Sequence, residues 1–264
     1  VTLKNKIRRK FMAKLPTKIT ERFLKNIPRF KEVLKIARKR DVNESDTVSI
    51  LNDILGDVFG YDKYLEVTSE YAIRGTYCDL AIKIGDEIEF LLEAKAIGIT
   101  LKEQHVKQAI DYGANNGVEW VILTNGIEWR LYRIIFKKPI DFEIVCCFDF
   151  MELNPKDMNT QERLFLFSKE GVAKKSRENY FDKVKIVNRY IIGNLFLTEP
   201  VTSVIRRELR KLSSDLRVNT TEIEHIVRHE ILRREIIEGD EAVTAASQIL
   251  KLNKKAANNR KGNQ

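Results

Sequence analysis

Between positions 65 and 134 the spacing of apolar residues runs from two to a helical period and back to two, and few architectures accommodate that succession. Residues 65–74, 77–84 and 88–96 place apolar side chains at every second position, the period of strands whose successive side chains point to opposite faces. Residues 100–116 change to the helical period, with Leu101, Val106, Ala109, Ile110 and Tyr112 or Gly113 on the packing sides. Strands are predicted again at 119–124 and 127–134, and another at 142–148. Gly85-Asp86 joins the second and third runs as a tight hairpin, and Asn125-Gly126, a strong hairpin signal, folds the next pair back on itself. The succession predicts an α/β fold with a central mixed sheet flanked by helices.

The ends of the chain differ from this block. Residues 1–40 hold fifteen Lys and Arg against Glu21 and Glu32, a local charge of +13 in a chain of net +9, so the remainder sums to −4. A basic run of this kind is either a solvated face or an electrostatic footprint for phosphate. Arg8, Arg9, Lys10, Arg38, Lys39 and Arg40 are the candidate nucleic-acid contacts, with Arg74 a further one in the turn before the second strand. A basic arm is expected over 1–27, and Pro28 is expected in the first turn of a helix with Phe30, Val33, Leu34 and Ala37 on its apolar side. A second helix follows Asn43, carries Glu44 and Asp46 in its first turn, and stops at Gly60.

After Phe150 the pattern is helical. Residues 171–179, rich in Lys, Ser, Arg and Asn, read as a linker, which predicts one domain over 28–170, a helical module over 171–252 and a disordered tail over 253–264. Helices are expected at 181–198 and 200–213, and a third is opened by the capping box Thr221-x-x-Glu224. Ile205, Leu209 and Leu212, with Ile223, Ile226, Val227 and Ile231, are more apolar surface than an isolated helix pair hides, so these helices are expected to pack on the main domain or form a homodimer. Charged residues make up 32% of the chain, and no run approaches the ~18 apolar residues that a spanning helix needs. Three cysteines without CxxC spacing fit a reducing cytoplasm better than a disulfide or zinc framework.

Chemistry concentrates in Cys78-Asp79-Leu80-Ala81-Ile82 and Phe90-Leu91-Leu92-Glu93-Ala94-Lys95. Glu93 and Lys95 are two apart on one strand and share a face; Asp79 and Glu93 lie seven residues either side of Asp86 in the Gly85-Asp86 hairpin and are expected to oppose one another. Two carboxylates and a lysine then converge on one patch of sheet, a donor set that suits Mg²⁺. Glu93-Ala94-Lys95 is the only acid-x-Lys triplet in the chain. His225 and His229, four apart, have metal-like spacing but no third ligand near them in sequence.

Asp79, Glu93-Ala94-Lys95 and Gln108-x-x-x-Tyr112, in this order, resemble the PD-(D/E)XK nuclease superfamily, and most closely the N-terminal nuclease domain of type I restriction enzyme R subunits. The strand-turn-strand from Val121 to Tyr132 and the upstream acid Glu44 are also similar to that family, over about residues 43–135. The resemblance implies a restriction-endonuclease-like core and an Mg²⁺-dependent nuclease, Mn²⁺ substituting, that acts on DNA in restriction or phage defence, beside separate subunits. By that resemblance Asp79, Glu93 and the Ala94 carbonyl hold the metal, Lys95 orients or activates the attacking water, Glu44 assists through water or a second metal, and Gln108 and Tyr112 position the phosphate. Cys78 stands where the superfamily has proline. No GxxxxGK[ST] phosphate loop occurs in the sequence, so this chain carries no motor of that type. RNA cleavage, and a binding module of the same fold without turnover, stay open as alternatives.

Overall fold

Ile19, Phe23, Ile27, Phe30, Leu34 and Ala37 recur at three- and four-residue intervals and are all buried, so one continuous helix, α1 (Thr17–Arg40), forms where an arm was expected. Pro28 is therefore inside the helix rather than at its start; its missing N–H removes a single backbone bond, which the buried apolar stripe outweighs. The computed structural model describes residues 15–73, 76–213, 215 and 217–261. Arg8, Arg9, Lys10 and Arg74 lie outside the described residues.

The helix α2 (Glu44–Asp57) is capped by Asn43, whose side chain accepts the Asp46 N–H. Six strands follow, β1 (Val67–Ile73), β2 (Thr76–Ile84), β3 (Glu87–Ala94), β4 (Trp120–Thr124), β5 (Glu128–Ile135) and β6 (Asp141–Asp149), with α3 (Glu103–Asn115) between β3 and β4. They form one mixed sheet in sequence order: β3 and β4 are parallel and every other pair is antiparallel, because only the β3–β4 connection contains a helix long enough to return the chain to its starting edge. On one face Leu101, Val106, Ala109 and Ile110 of the α3 segment pack on Val121, Leu123, Tyr132 and Ile134. Toward the other, Phe59 after α2 meets Trp129 and Phe167, and Tyr61 meets Phe90.

The pairing of β2 with β3 contains an irregularity. The hairpin loop pairs Ile84 with Glu87 and Lys83 with Ile88, but the next pair is Ile82 with Phe90, so Glu89 is passed over as a bulge. Beyond it Ala81 faces Leu91 and Leu80 faces Leu92.

The C-terminal part departs from expectation at several points. After α4 (Met158–Phe165), the supposed linker folds as α5 (Lys169–Ala173) and the start of α6 (Ser176–Ile186); Gly171, Val172, Ser176 and Arg177 are buried. A Cβ at Gly171 would collide with the Phe165 carbonyl oxygen, so Gly171 permits a close backbone approach rather than flexibility. Arg22 of α1 donates to both carboxylate oxygens of Glu170, at 2.8 and 2.7 Å, and to the Val58 carbonyl, which ties α1, α2 and α5 together. The chain accordingly divides into two compact units between Tyr180 and Phe181, not at residue 171.

In the second unit α7 (Arg189–Phe196) begins at the Asn188 cap, which interrupts the single helix expected over 181–198. α8 (Glu199–Leu212) is followed by α9 (Thr220–Ile226), capped by Asn219 rather than by the predicted Thr221–Glu224 box. A π-helical stretch (Val227–Ile231), the short α10 (Arg234–Ile237) and α11 (Asp240–Lys261) complete it, so the backbone of the expected disordered tail is helical to Lys261. Ile191, Ala245 and Ile249 form a small core with Tyr190 packed against it. Among the described residues no helix is long and apolar enough to cross a membrane.

Candidate active site

The carboxylates and the lysine meet where β3 ends. The register beyond the bulge sets Asp79 beside Glu93 on the α3 face of the sheet, and Asp79 Oδ2 accepts the Ala94 backbone N–H at 2.7 Å. Lys95 Nζ donates to Glu93 Oε1 at 2.7 Å and lies 3.6 Å from Glu44 Oε2 at the head of α2. The Lys95 backbone is fixed as well, donating to the Thr124 carbonyl at 2.8 Å as the last rung between β3 and β4. This is the carboxyl end of the parallel strand pair, the position where ligands of open α/β sheets bind.

Two carboxylates, Glu93 and Glu44, share one ammonium here, and Glu93 is only 3% exposed. Burial pushes the Glu93 carboxyl up to about 7; the Lys95 hydrogen bond opposes that rise, while Asp79 and Glu44 add to it. Burial would lower the Lys95 pKa, but the hydrogen bond to Glu93 and the charges of Glu93, Glu44 and Asp79 raise it overall, so the lysine is a cation. The neighbouring Cys78 thiol is pushed up to about 12, first by burial and then by Glu93, which makes it a packed thiol rather than a nucleophile.

Among the described residues no three His, Cys, Asp or Glu side chains gather as one metal-holding group. The donor set still suits a hard divalent cation: two half-buried or buried carboxylates on one face carry more negative charge than Lys95 balances, and Mg²⁺ takes one or two carboxylates and completes its shell with water and substrate oxygens. Glu44 enters the cluster through Lys95.

Gln108 and Tyr112 are on α3, one turn apart, on the same open helix surface as Gln104, Lys107, Asp111 and Asn115. Tyr112 packs against the cluster of Cys78, Ala81, Leu91 and Val118. Arg38, Lys39 and Arg40 are exposed in the last turn of α1; the next residue, Asp41, has its carboxylate against Gly98, so the end of α1 meets the loop that leaves β3. His225 and His229 have ring centroids 4.5 Å apart with their planes tilted by 45°, both exposed.

Two residues not singled out in the sequence hold the loop that leaves β3. Thr47 is fully buried: its hydroxyl donates to the Asn43 carbonyl at 2.8 Å and accepts the Ile97 N–H at 3.2 Å. Asn125, read only as a turn residue, donates to the Ile99 carbonyl at 2.8 Å while its oxygen accepts the Ile127 and Glu128 N–H groups. A third, His105, accepts the Lys102 N–H through Nδ1 at 3.2 Å, and burial followed by the Lys95 charge lowers its pKa. Only the Asn-Gly pair carried a sequence signal. Replacing Thr47 by valine keeps the volume and orphans the Ile97 N–H, which costs about 1–3 kcal/mol. The expected result is a Tm lower by roughly 3–10 °C in a thermal melt.

Compared with known protein families, with curated proteins and with solved structures, the chain matches none.

Proposed function

We propose that the chain is a divalent-metal-dependent phosphodiesterase acting on DNA, with a core of the restriction-endonuclease type. The observation that carries this reading is the cluster at the end of β3: Asp79 and Glu93 on one face, with Lys95 held as a cation between Glu93 and Glu44. A binding module has no use for two converging, partly desolvated carboxylates facing phosphate, because they repel it.

Asp79, Glu93 and the Ala94 carbonyl would hold the metal, Mg²⁺ or Mn²⁺, which when bound supplies a water of lowered pKa and neutralises phosphoryl charge. The chain's own residues do the rest. Lys95 places a fixed positive charge beside the attacking oxygen, its ammonium oriented by Glu93 and Glu44. Gln108 and Tyr112, on one surface of α3, position the backbone near the scissile bond. A setting in restriction or phage defence, beside separate subunits of such a system, is proposed on the family resemblance alone. A homodimer through the C-terminal helices is the proposed self-association, with Leu212 84% and Ile231 66% exposed, and light scattering of the full chain tests it.

The test of the activity is incubation of the purified chain with plasmid, single-stranded DNA and RNA, in Mg²⁺, Mn²⁺ or chelator. Plasmid cleavage in either metal and none in chelator is expected. Faster turnover of RNA would reassign the substrate, and no cleavage of any polymer in either metal overturns the reading.

The basic end of α1 makes a separate prediction. Each phosphate neutralised on duplex DNA adds about −0.9 to the slope of log K against log salt. Replacing Arg38, Lys39 and Arg40 together by alanine is expected to flatten that slope by about two to three units in a fluorescence-anisotropy titration.

A further inference from the structure

We propose that Arg177 is a positioning residue for the candidate site: by holding the Glu89 bulge it sets the strand register that puts Glu93 on the same face as Asp79. This rests on the reading of Asp79 and Glu93 as the reactive pair. A hairpin that pairs Ile84 with Glu87 and runs on without interruption would pair Ala81 with Phe90 and Asp79 with Leu92. A one-residue slip turns every following side chain to the other face. Glu93 would then point toward the Phe59–Trp129 layer and Leu92 would lie beside Asp79. The bulge at Glu89 advances the register by one residue and brings Leu91 and Glu93 to the α3 face with Ala81 and Asp79.

A bulge at a non-glycine residue leaves backbone groups out of the ladder and needs something to hold it. Arg177 does so from both sides of the residue. Its NH2 donates to Glu89 Oε2 at 3.0 Å, and its NH1 donates to the Glu89 carbonyl oxygen at 3.3 Å. The guanidinium is 1% exposed and lies over the rings of Phe90 and Trp120, at 5.3 and 5.1 Å from their centroids. Phe90 is the residue after the bulge and Trp120 begins β4, so the arginine fastens the point where the register shifts to the parallel strand pair that ends at the cluster. Its Nε has no partner among the described residues. A buried cation with an unsatisfied N–H is a costly core element, and a role in fixing the bulge accounts for it.

The test uses the full chain and the Ala94 amide, whose hydrogen bond to Asp79 reports the register directly. Arg177→Met keeps an apolar stem between the two rings and removes the guanidinium. The expected result is a folded protein in which Ala94 amide protection in hydrogen exchange falls by about tenfold or more and metal-dependent cleavage falls with it. Deleting Glu89 in the Arg177→Met background removes the bulge yet retains the Ala81–Leu91 and Leu80–Leu92 pairing and a regular alternation of faces. It is expected to restore both Ala94 protection and cleavage. Should Arg177→Met fail to fold, Glu89→Gln weakens the same contact and is read in the same way. Wild-type protection of Ala94 in the substituted protein, or a loss that deleting Glu89 does not reverse, overturns the proposal. A wild-type chain that cleaves no polymer overturns the phosphodiesterase reading instead, and the amide measurement still decides the role of Arg177.

Discussion

Lys95→Met is expected to lower the single-turnover cleavage rate by about 10²–10³-fold without unfolding the protein. The lysine side chain is 12% exposed, its stem is packed at the end of β3, and methionine preserves most of that volume while removing the charge beside the reacting oxygen. Loss of the ammonium does not strand a buried anion. Glu93 already titrates at about 7 through burial, and without Lys95 it takes up a proton instead of remaining charged. Asp79→Asn is expected to lose cleavage to a similar degree for a different reason: the amide oxygen can still accept the Ala94 N–H, so the strand pairing survives while one carboxylate is gone. Undiminished cleavage by both purified variants, with wild-type melting curves, would remove the cluster from the chemistry.

The second large effect is on stability. In chelator, the protein is expected to become less stable as pH rises from 5 to 8. Glu93 has a folded pKa of about 7 against its ordinary 4.5. Between those values the folded state keeps a proton that the unfolded chain has released, so the pH derivative of unfolding free energy is negative. The contribution is fully present below 4.5 and gone above 7, and its full size is on the order of 3 kcal/mol. Glu170 has the opposite sign: burial would raise its pKa, but Arg22 holds it below the usual carboxylate value, so its contribution is lost only at more acid pH. Melts at pH 5, 6, 7 and 8 are expected to show the decline in the wild type and its absence in Glu93→Gln. Added Mg²⁺ is expected to raise the wild-type Tm more at pH 8 than at pH 6, because on the proposed reading the ionised carboxylate is the ligand. A wild-type profile no steeper than that of Glu93→Gln would mean that Glu93 is ionised throughout.

The sheet was legible because alternation is a local signal. β1 to β6 fall within three residues of the runs read from the sequence, and the Gly85-Asp86 and Asn125-Gly126 turns are where they were expected. The opposition of Asp79 and Glu93 was also expected, but by counting outward from the hairpin, whereas the structure reaches it through a two-residue loop followed by a bulge. Glu89 has no glycine or other local mark of a bulge, and the residue that holds it is 88 positions away, in a segment whose Lys, Ser, Arg and Asn read as a linker. Composition describes side chains in water and cannot show that Arg177 is enclosed by Phe90 and Trp120. The start of α1 was misplaced for a related reason. Pro28 and the basic residues masked an apolar stripe that begins at Ile19, and tertiary burial overrode the local signal.

That 88-residue separation also has a meaning in time. A ribosome adding roughly 5–20 residues per second finishes β3 about 4–17 seconds before it reaches Arg177, and longer before that side chain clears the exit tunnel. During that interval Asp79, Glu93 and Lys95 are all present on the nascent chain while nothing holds the bulge between them. On the proposed reading, a hydrolase for polynucleotides is thus made beside a messenger with its reactive groups out of alignment, and they come into alignment only once Arg177 has been translated.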